Sequence, residues 1–409
     1  MFFVDDYFYS IDDLENQYAI FDRISFLKEC ENSRLAVCIP DVFQWLTLCL
    51  YVRQKGGSIV PIHPSMPKEG AMKMAHATNS HSLLYDTIHS PIEIDSDKKE
   101  AEGVLVQMSS GTTGAPKSIE RTWESVDEEL KSYASILPIQ MGTKSIIACP
   151  TTHSYGLISG VFSALKRGEA PVIITNMNPR YVLKKLNQFP NHILYAGPAL
   201  LSPLTSLLSN RQKLDRVMVS GSLMTDQLLT TLKEKSNEVS QQYGCSEAGC
   251  ITVNTHVNNA REMGCPLPHL TVKAGSENDP NEIILSTSTK TIYTKDIGYM
   301  VNGTLTFLGR MDDTINVAGL NVYPQDVENV LLNEPRIIEA VVYKRRHHFS
   351  GERVCAQYVS TEPIENNELR QWCHKYLAPY QVPMELERVP KIEKLPNGKI
   401  SRKLLGGVM

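Results

Sequence analysis

The run 104–123, "VLVQMSSGTTGAPKSIERTW", gathers groups that could hold an anion. Ser109, Ser110, Thr112 and Thr113 supply hydroxyl donors. Gly111 and Gly114 allow successive backbone N–H groups to close around a phosphate. Lys117 adds a cation. The spacing nearly fits the P-loop pattern, but Pro116 stands where the second glycine belongs, and proline has neither the N–H nor the conformational freedom for that position. An apolar strand precedes the run and a helix is expected to follow it, so a helix N-terminus would also face the anion. On these residues alone, a phosphate loop and a plain Gly/Ser/Thr connection are equally open readings.

The elements that would carry this loop alternate between β-rich and helical texture. Strands are expected at 34–39, 58–63, 103–108, 145–150, 170–175, 192–197 and 216–221, with helices at 124–137 and 179–187 between some of them. Continuous apolar strands separated by helices imply an α/β domain with a mostly parallel sheet. After about residue 282 the strands become short and turn-punctuated, which implies an antiparallel part. From Asp312 a smaller α+β unit is expected: a hairpin, a helix over 324–332 opening on Pro324, strands 339–345 and 354–360, and a helix over 364–377.

Composition narrows the function classes. The chain has 409 residues, 42% hydrophobic and 21% charged, enough for two or three domains. A net charge of -4 without a basic block argues against coating nucleic acid. The nine cysteines form no CxxC pair, which argues against a zinc site, and several have apolar neighbours, as reduced thiols of a cytoplasmic protein would. The acidic start "MFFVDD" does not read as a signal peptide, and the apolar run 42–52 is too short to cross a bilayer, so no membrane role is expected.

The loop is one of an ordered set of motifs. "THSYG" (152–156), "SGSLM" (220–224), "QQYGCSEAG" (241–249), "YTKDIGY" (293–299), "GRMDDTINVAGLNVYPQDVE" (309–328) and "LPNGKISRKLL" (395–405) follow it. Together they resemble the adenylate-forming superfamily of acyl-CoA synthetases, adenylation domains and aryl-acid ligases, and within it the stand-alone aryl-acid–AMP ligases of siderophore assembly, of the petrobactin type. The resemblance covers nearly the whole chain. It implies a large domain at 1–311, a small mobile domain at 312–409, and a hinge at Asp312.

The resemblance also implies chemistry. A carboxylate attacks the α-phosphorus of ATP to give acyl-AMP and pyrophosphate. The acyl group then passes to the phosphopantetheine thiol of a separate carrier protein, or to CoA. Lys399 matches the catalytic lysine, whose ammonium would stabilise two anions as they meet. Glu247 matches the carboxylate that holds Mg²⁺. Asp296 matches the acceptor of both ribose hydroxyls, with Arg310 supporting ribose or phosphate. Tyr243, Gly244, Cys245 and Ser246, with the loop residues 109–114 and Lys117, would border the nucleotide. His153, Tyr155, Gly156, Gly221, Cys245 and Gly249 would border the acyl group, and Gly319 the pantetheine tunnel. "TTHSYG" carries no acid to meet an α-amine, so a carboxylic acid without one is expected; the closer resemblance implies an aryl acid such as 3,4-dihydroxybenzoate.

Three positions depart from the family pattern. Asn316 stands where many members have lysine, Lys295 replaces the glycine of Thr-Gly-Asp, and 263–265 holds a thinner glycine pattern before "PLP". Two other functions remain open on the sequence: an acyl-CoA ligase for aryl or fatty acids, and a non-catalytic nucleotide-binding regulator.

Overall fold

The computed structural model describes residues 1–98, 100, 102–109, 117–209, 211–317, 320–347, 351–395 and 400–407. They divide into two compact units. The first holds Met1–Met224, Leu228–Thr271 and Ser286–Ile292; the second holds Thr225–Gln227, Val272–Leu285 and Tyr293–Met409. The units follow no single cut point. The expected boundary at 312 returns below as a proposal.

The first unit contains two sheets. One orders Ile92–Glu93, Ser82–Tyr85, Arg34–Cys38, Ser58–Pro61, Val104–Ser109 and Lys117–Thr122, parallel at its centre and antiparallel at both edges. The other runs Glu262–Pro266, Gly249–Asn254, Ser236–Cys245, Leu214–Val219, His192–Ala196, Lys144–Ala148, Val172–Ile173, Phe2–Val4 and Tyr7–Tyr9. Its centre, from Leu214–Val219 to Val172–Ile173, is parallel. The reason is legible in the chain: Arg34–Cys38 and His192–Ala196 are buried along their whole length, as strands covered on both faces must be. Helices such as Pro179–Gln188 cover the second sheet around Ile146, Leu194, Val217 and Leu232. The run 42–52 lies in the core helix Val42–Lys55, capped by Asp41 on the Gln44 N–H and closed by Gly56 at φ +77°. Among the described residues no helix is long and apolar enough to cross a membrane.

In one respect the expected order of elements is corrected. The run after the loop is not a helix start. Lys117–Thr122 is a strand antiparallel to Val104–Ser109, and the helix Trp123–Ile136 begins only afterwards, capped by Thr122 on the Ser125 N–H. Ser109 and Lys117 are therefore facing backbone partners of an antiparallel pair.

In the second unit, Thr291–Val301 and Thr304–Arg310 form a hairpin around Asn302 and Gly303, both at positive φ (50° and 80°), as a two-residue Asn-Gly turn requires. A separate sheet orders Leu320–Val322, Ile315–Val317, Gly351–Ser360 and Ile337–His347, with Glu385–Arg388 beside Gly351–Ser360. Helices Pro324–Leu332 and Asn366–His374 pack on it through Val327, Leu331 and Leu369. The α/β class with an antiparallel part and a small α+β unit is thus present as expected.

Arg402 ties this unit together. It donates to both Glu328 oxygens (2.9 and 3.0 Å), to the Val342 carbonyl (2.9 Å) and to Asp313 (3.2 Å). The turn after Asp312, a helix, a strand and the C-terminal helix Arg402–Leu405 are thereby held by one guanidinium.

Candidate active site

The parallel strands Lys144–Ala148, His192–Ala196, Leu214–Val219 and Ser236–Cys245 end on the same edge, and the motifs at 152–156, 220–224 and 241–249 lie there. Ligands of open α/β sheets bind at that carboxyl edge. Tyr155, Gly156 and Ser159 sit on Tyr155–Phe162, a π-helix whose extra-wide turn reshapes the edge; such turns recur at functional sites. The Tyr155 hydroxyl donates to the Met218 carbonyl at 2.5 Å, and burial holds its proton well above the usual phenol range. Gly156 has no room for a side chain, since a Cβ would stand 2.4 Å from the Pro150 carbonyl oxygen. His153 is exposed, and its backbone N–H donates to the Pro150 carbonyl at 3.2 Å. Ser154 donates to Gln107, on the strand that leads into the phosphate loop. Gly221 stands at φ +92° with open space where a Cβ would go.

The motif "QQYGCSEAG" forms a hairpin. Ser236–Cys245 pairs with Gly249–Asn254 through the turn 246–248, with a bulge between Tyr243 and Gly244. Gln242 links this hairpin to its neighbours: it accepts from the Tyr133 hydroxyl (2.8 Å), donates to Ser159 (3.0 Å) and accepts Ser220 on its carbonyl (3.1 Å). Tyr243 is buried, Cys245 and Ser246 are half-buried, and Gly244 is pressed against the Gly249 carbonyl, 2.2 Å from any Cβ. Glu247 is half-buried in the turn, and Lys290 donates to its backbone carbonyl at 3.5 Å. No hydrogen bond or ion pair engages its carboxylate among the described residues. Below this turn a buried ion pair, Arg121–Glu129 at 2.7 Å, meets the backbone: the Cys250 N–H donates to Glu129 at 2.8 Å.

In the second unit Asp296 is buried and pairs with Arg310 at 3.1 Å, the two being cross-strand partners. Arg310 also lies 3.8 Å from Asp312. Lys295, at the position where the resemblance expects glycine, has φ +59°, in the left-handed region that favours glycine. Its N–H donates to Glu282 and its carbonyl accepts the Met311 N–H, both at 2.8 Å. Asn316 donates its backbone N–H to Glu352 at 2.7 Å, and its side-chain amide donates to Asn321 at 3.2 Å.

Ser110, Gly111, Thr112, Thr113, Gly114, Gly319 and Lys399 lie outside the described residues, as do the side chains of Ser109 and Lys117. Sequence reasoning missed Arg121, Glu129 and Gln242. A signal for Glu129 existed: it falls on the buried stripe Val126, Glu129, Leu130, Tyr133 of its helix, where a charge announces an internal partner. A separate cleft of about 590 Å³, lined by Ile193, Arg216, Ser236 and His256, includes none of the motif residues.

A chain bearing this motif set on this fold is an adenylate-forming enzyme. The chain belongs to the AMP-binding enzyme family: that family's profile matches residues 93–282, and the profile of the AMP-binding enzyme C-terminal domain matches 326–399. It is an AMP-forming ligase. Among its relatives is the 3,4-dihydroxybenzoate–[aryl-carrier protein] ligase of Bacillus anthracis, 40% identical over 97% of this chain and 96% of that protein. The 2-succinylbenzoate–CoA ligase of Bacillus subtilis is 28% identical over 73% of this chain and 68% of its own length. The fold matches the o-succinylbenzoate CoA synthetase of Bacillus subtilis in complex with its acyl-adenylate intermediate, with a TM-score of 0.87 at 21% identity over 99% and 94% of the two chains. The same synthetase in complex with ATP and magnesium matches with a TM-score of 0.86 at 20% identity, over 99% and 96%.

Proposed function

We propose that the chain activates 3,4-dihydroxybenzoate or a close aryl acid with ATP and passes it to the phosphopantetheine thiol of a separate carrier protein, as a cytoplasmic enzyme. Full-length likeness at 40% identity to a ligase of that substrate and carrier carries this reading. In the first half-reaction a carboxylate oxygen bonds to the α-phosphorus and the bond to pyrophosphate breaks. In the second, the thiolate sulfur bonds to the acyl carbon and AMP leaves.

The residues take these roles in the proposal. Lys399, carried by a domain that turns about Asp312, neutralises carboxylate and phosphate as they approach; residues 1–311 form the body against which 312–409 swings. Ser109, Ser110, Gly111, Thr112, Thr113, Gly114 and Lys117 hold phosphate. Tyr243, Gly244, Cys245 and Ser246 border the nucleotide. Asp296 accepts the ribose hydroxyls and Arg310 orients that carboxylate. His153, Tyr155, Gly156, Gly221, Cys245 and Gly249 enclose the aryl group, and Gly319 lines the pantetheine path.

The residues fit magnesium in one form. Among the described residues no three His, Cys, Asp or Glu side chains cluster as a protein-only cage would. Glu247 instead offers one half-buried carboxylate that no side chain among the described residues engages. Mg²⁺ is bound in this manner, by one or two carboxylates with phosphate and water completing the shell. Bound there, it would neutralise charge on the phosphates.

ATP–pyrophosphate exchange with a panel of benzoates, fatty acids and amino acids tests the reading. Exchange dependent on 3,4-dihydroxybenzoate, followed by acylation of a holo carrier in preference to CoA, is the expected result. Preference for CoA would move the chain to the acyl-CoA ligases. No exchange with any acid would leave a nucleotide-binding regulator.

A further inference from the structure

We propose that Arg121 and Glu129 are positioning residues for adenylation, joining the strand that returns from the phosphate loop to the turn that carries Glu247. This rests on the site reading above and extends it to residues with no assigned role.

Both side chains are buried, Arg121 at 4% exposure and Glu129 at 1%. Arg121 belongs to Lys117–Thr122, so it reports the position of the loop's return strand. Glu129 lies two turns along the helix that follows. One Glu129 oxygen takes the Arg121 guanidinium at 2.7 Å; the other takes the Cys250 N–H at 2.8 Å, three residues beyond Glu247. The Arg121 guanidinium also donates to the Ser125 carbonyl at 3.3 Å. Gly249 touches the pair directly. It stands at φ +76°, and a Cβ there would lie 2.2 Å from a Glu129 oxygen and 2.3 Å from an Arg121 nitrogen. Gly249 in turn presses on Gly244. A continuous path therefore runs from the return strand, through the pair, to both ends of the Glu247 turn.

A buried ion pair is a poor way to gain stability alone, because well-packed apolar residues of similar volume often serve as well or better. What it supplies is direction. Two fixed acceptors on one carboxylate set the return strand and the turn in one register, which an apolar contact does not. Phosphates and their counter-ion then meet preset partners on both segments. Pairs of this kind resemble the outer hydrogen bonds around metal ligands, whose loss lowers affinity or activity by roughly 10–100-fold.

The test uses the full chain and the double variant Arg121→Met/Glu129→Gln. It removes both charges together and keeps an acceptor for the Cys250 N–H, which avoids the uncompensated charge that either single change leaves. Mg²⁺ is titrated in ATP–pyrophosphate exchange, beside the rate of thioester formation from supplied acyl-AMP, which involves no pyrophosphate. The expected result is an apparent KM for Mg²⁺ raised, and exchange kcat lowered, by roughly 10-fold or more, with the thioester step within about twofold. A folded double variant with wild-type Mg²⁺ dependence overturns the proposal. So does an equal loss in both half-reactions, the mark of a purely structural pair. Arg121→Lys, which keeps the charge, is expected to restore part of the Mg²⁺ affinity. Glu247→Gln separates the two levels: if it leaves Mg²⁺ dependence unchanged, the site reading itself fails, whereas if it raises the Mg²⁺ requirement and the double variant does not, only the positioning role fails.

Discussion

Lys295 offers a measurable consequence of backbone geometry. Its φ of +59° places an L-residue with a long side chain in the left-handed region. That conformation costs about 1–2 kcal/mol for a residue bearing a Cβ. Lys295→Gly removes this cost, while the greater freedom of glycine in the unfolded chain takes back roughly 0.5–1 kcal/mol. The backbone bonds to Glu282 and from Met311 do not depend on the side chain. A net gain of about 0.5–1 kcal/mol is therefore expected. A chain with two compact units need not unfold in one step. The assay is native-state hydrogen exchange of amides in Thr291–Val301 and Thr304–Arg310, with denaturant midpoints beside it. Slower exchange in the glycine variant, and none of that gain in Lys295→Ala, is the expected pair of results. A less stable glycine variant, or an alanine variant equally stabilised, would refute the attribution to φ.

Three further outcomes follow. Lys399→Ala is expected to lose adenylation by about 100-fold or more while keeping thioester formation from supplied acyl-AMP, read in separate half-reaction assays. Arg402→Met leaves Glu328 and Asp313 without their shared cation and is expected to destabilise the second unit by about 3–5 kcal/mol, read by the same exchange measurement. Burial holds the His192 and His269 imidazoles below their ordinary value of 6.5, so the unfolded chain takes up protons first as pH falls. Their contribution to stability is complete above 6.5 and is lost as pH falls below it, giving a melting temperature that drops on acidification through that range, with a shallower slope in His192→Asn.

Much of the architecture was legible because burial on both faces leaves its mark on each strand separately. Arg34–Cys38 and His192–Ala196 are apolar after their first residue, and the small unit's helix announced itself at Pro324. Lys117–Thr122 was not legible as a strand. Its six residues mix charge and hydroxyl, and what makes it extended is pairing with Val104–Ser109 across a loop, a tertiary fact. The Arg121–Glu129 pair escaped for a similar reason, since its third partner, Cys250, is far away in sequence. The π-helix at Tyr155 has no local signature; the Tyr155 hydroxyl reaches Met218, far along the chain, and Gly156 sits against Pro150. Glu247 and Asp296 were singled out by motif, whereas the groups that surround them belong to the fold.

The Arg402 clamp sets a rule for building chimaeras. Among the described residues its acceptors lie between Asp313 and Val342, inside the second unit, so the guanidinium and these anchors would travel together in a transplanted C-terminal cassette. A junction cut immediately before Asp313 keeps the set whole, whereas one placed a few residues later would strand Arg402 with a foreign partner. Relatives that differ in acid preference could thus be recombined at that point without repacking the transplanted piece.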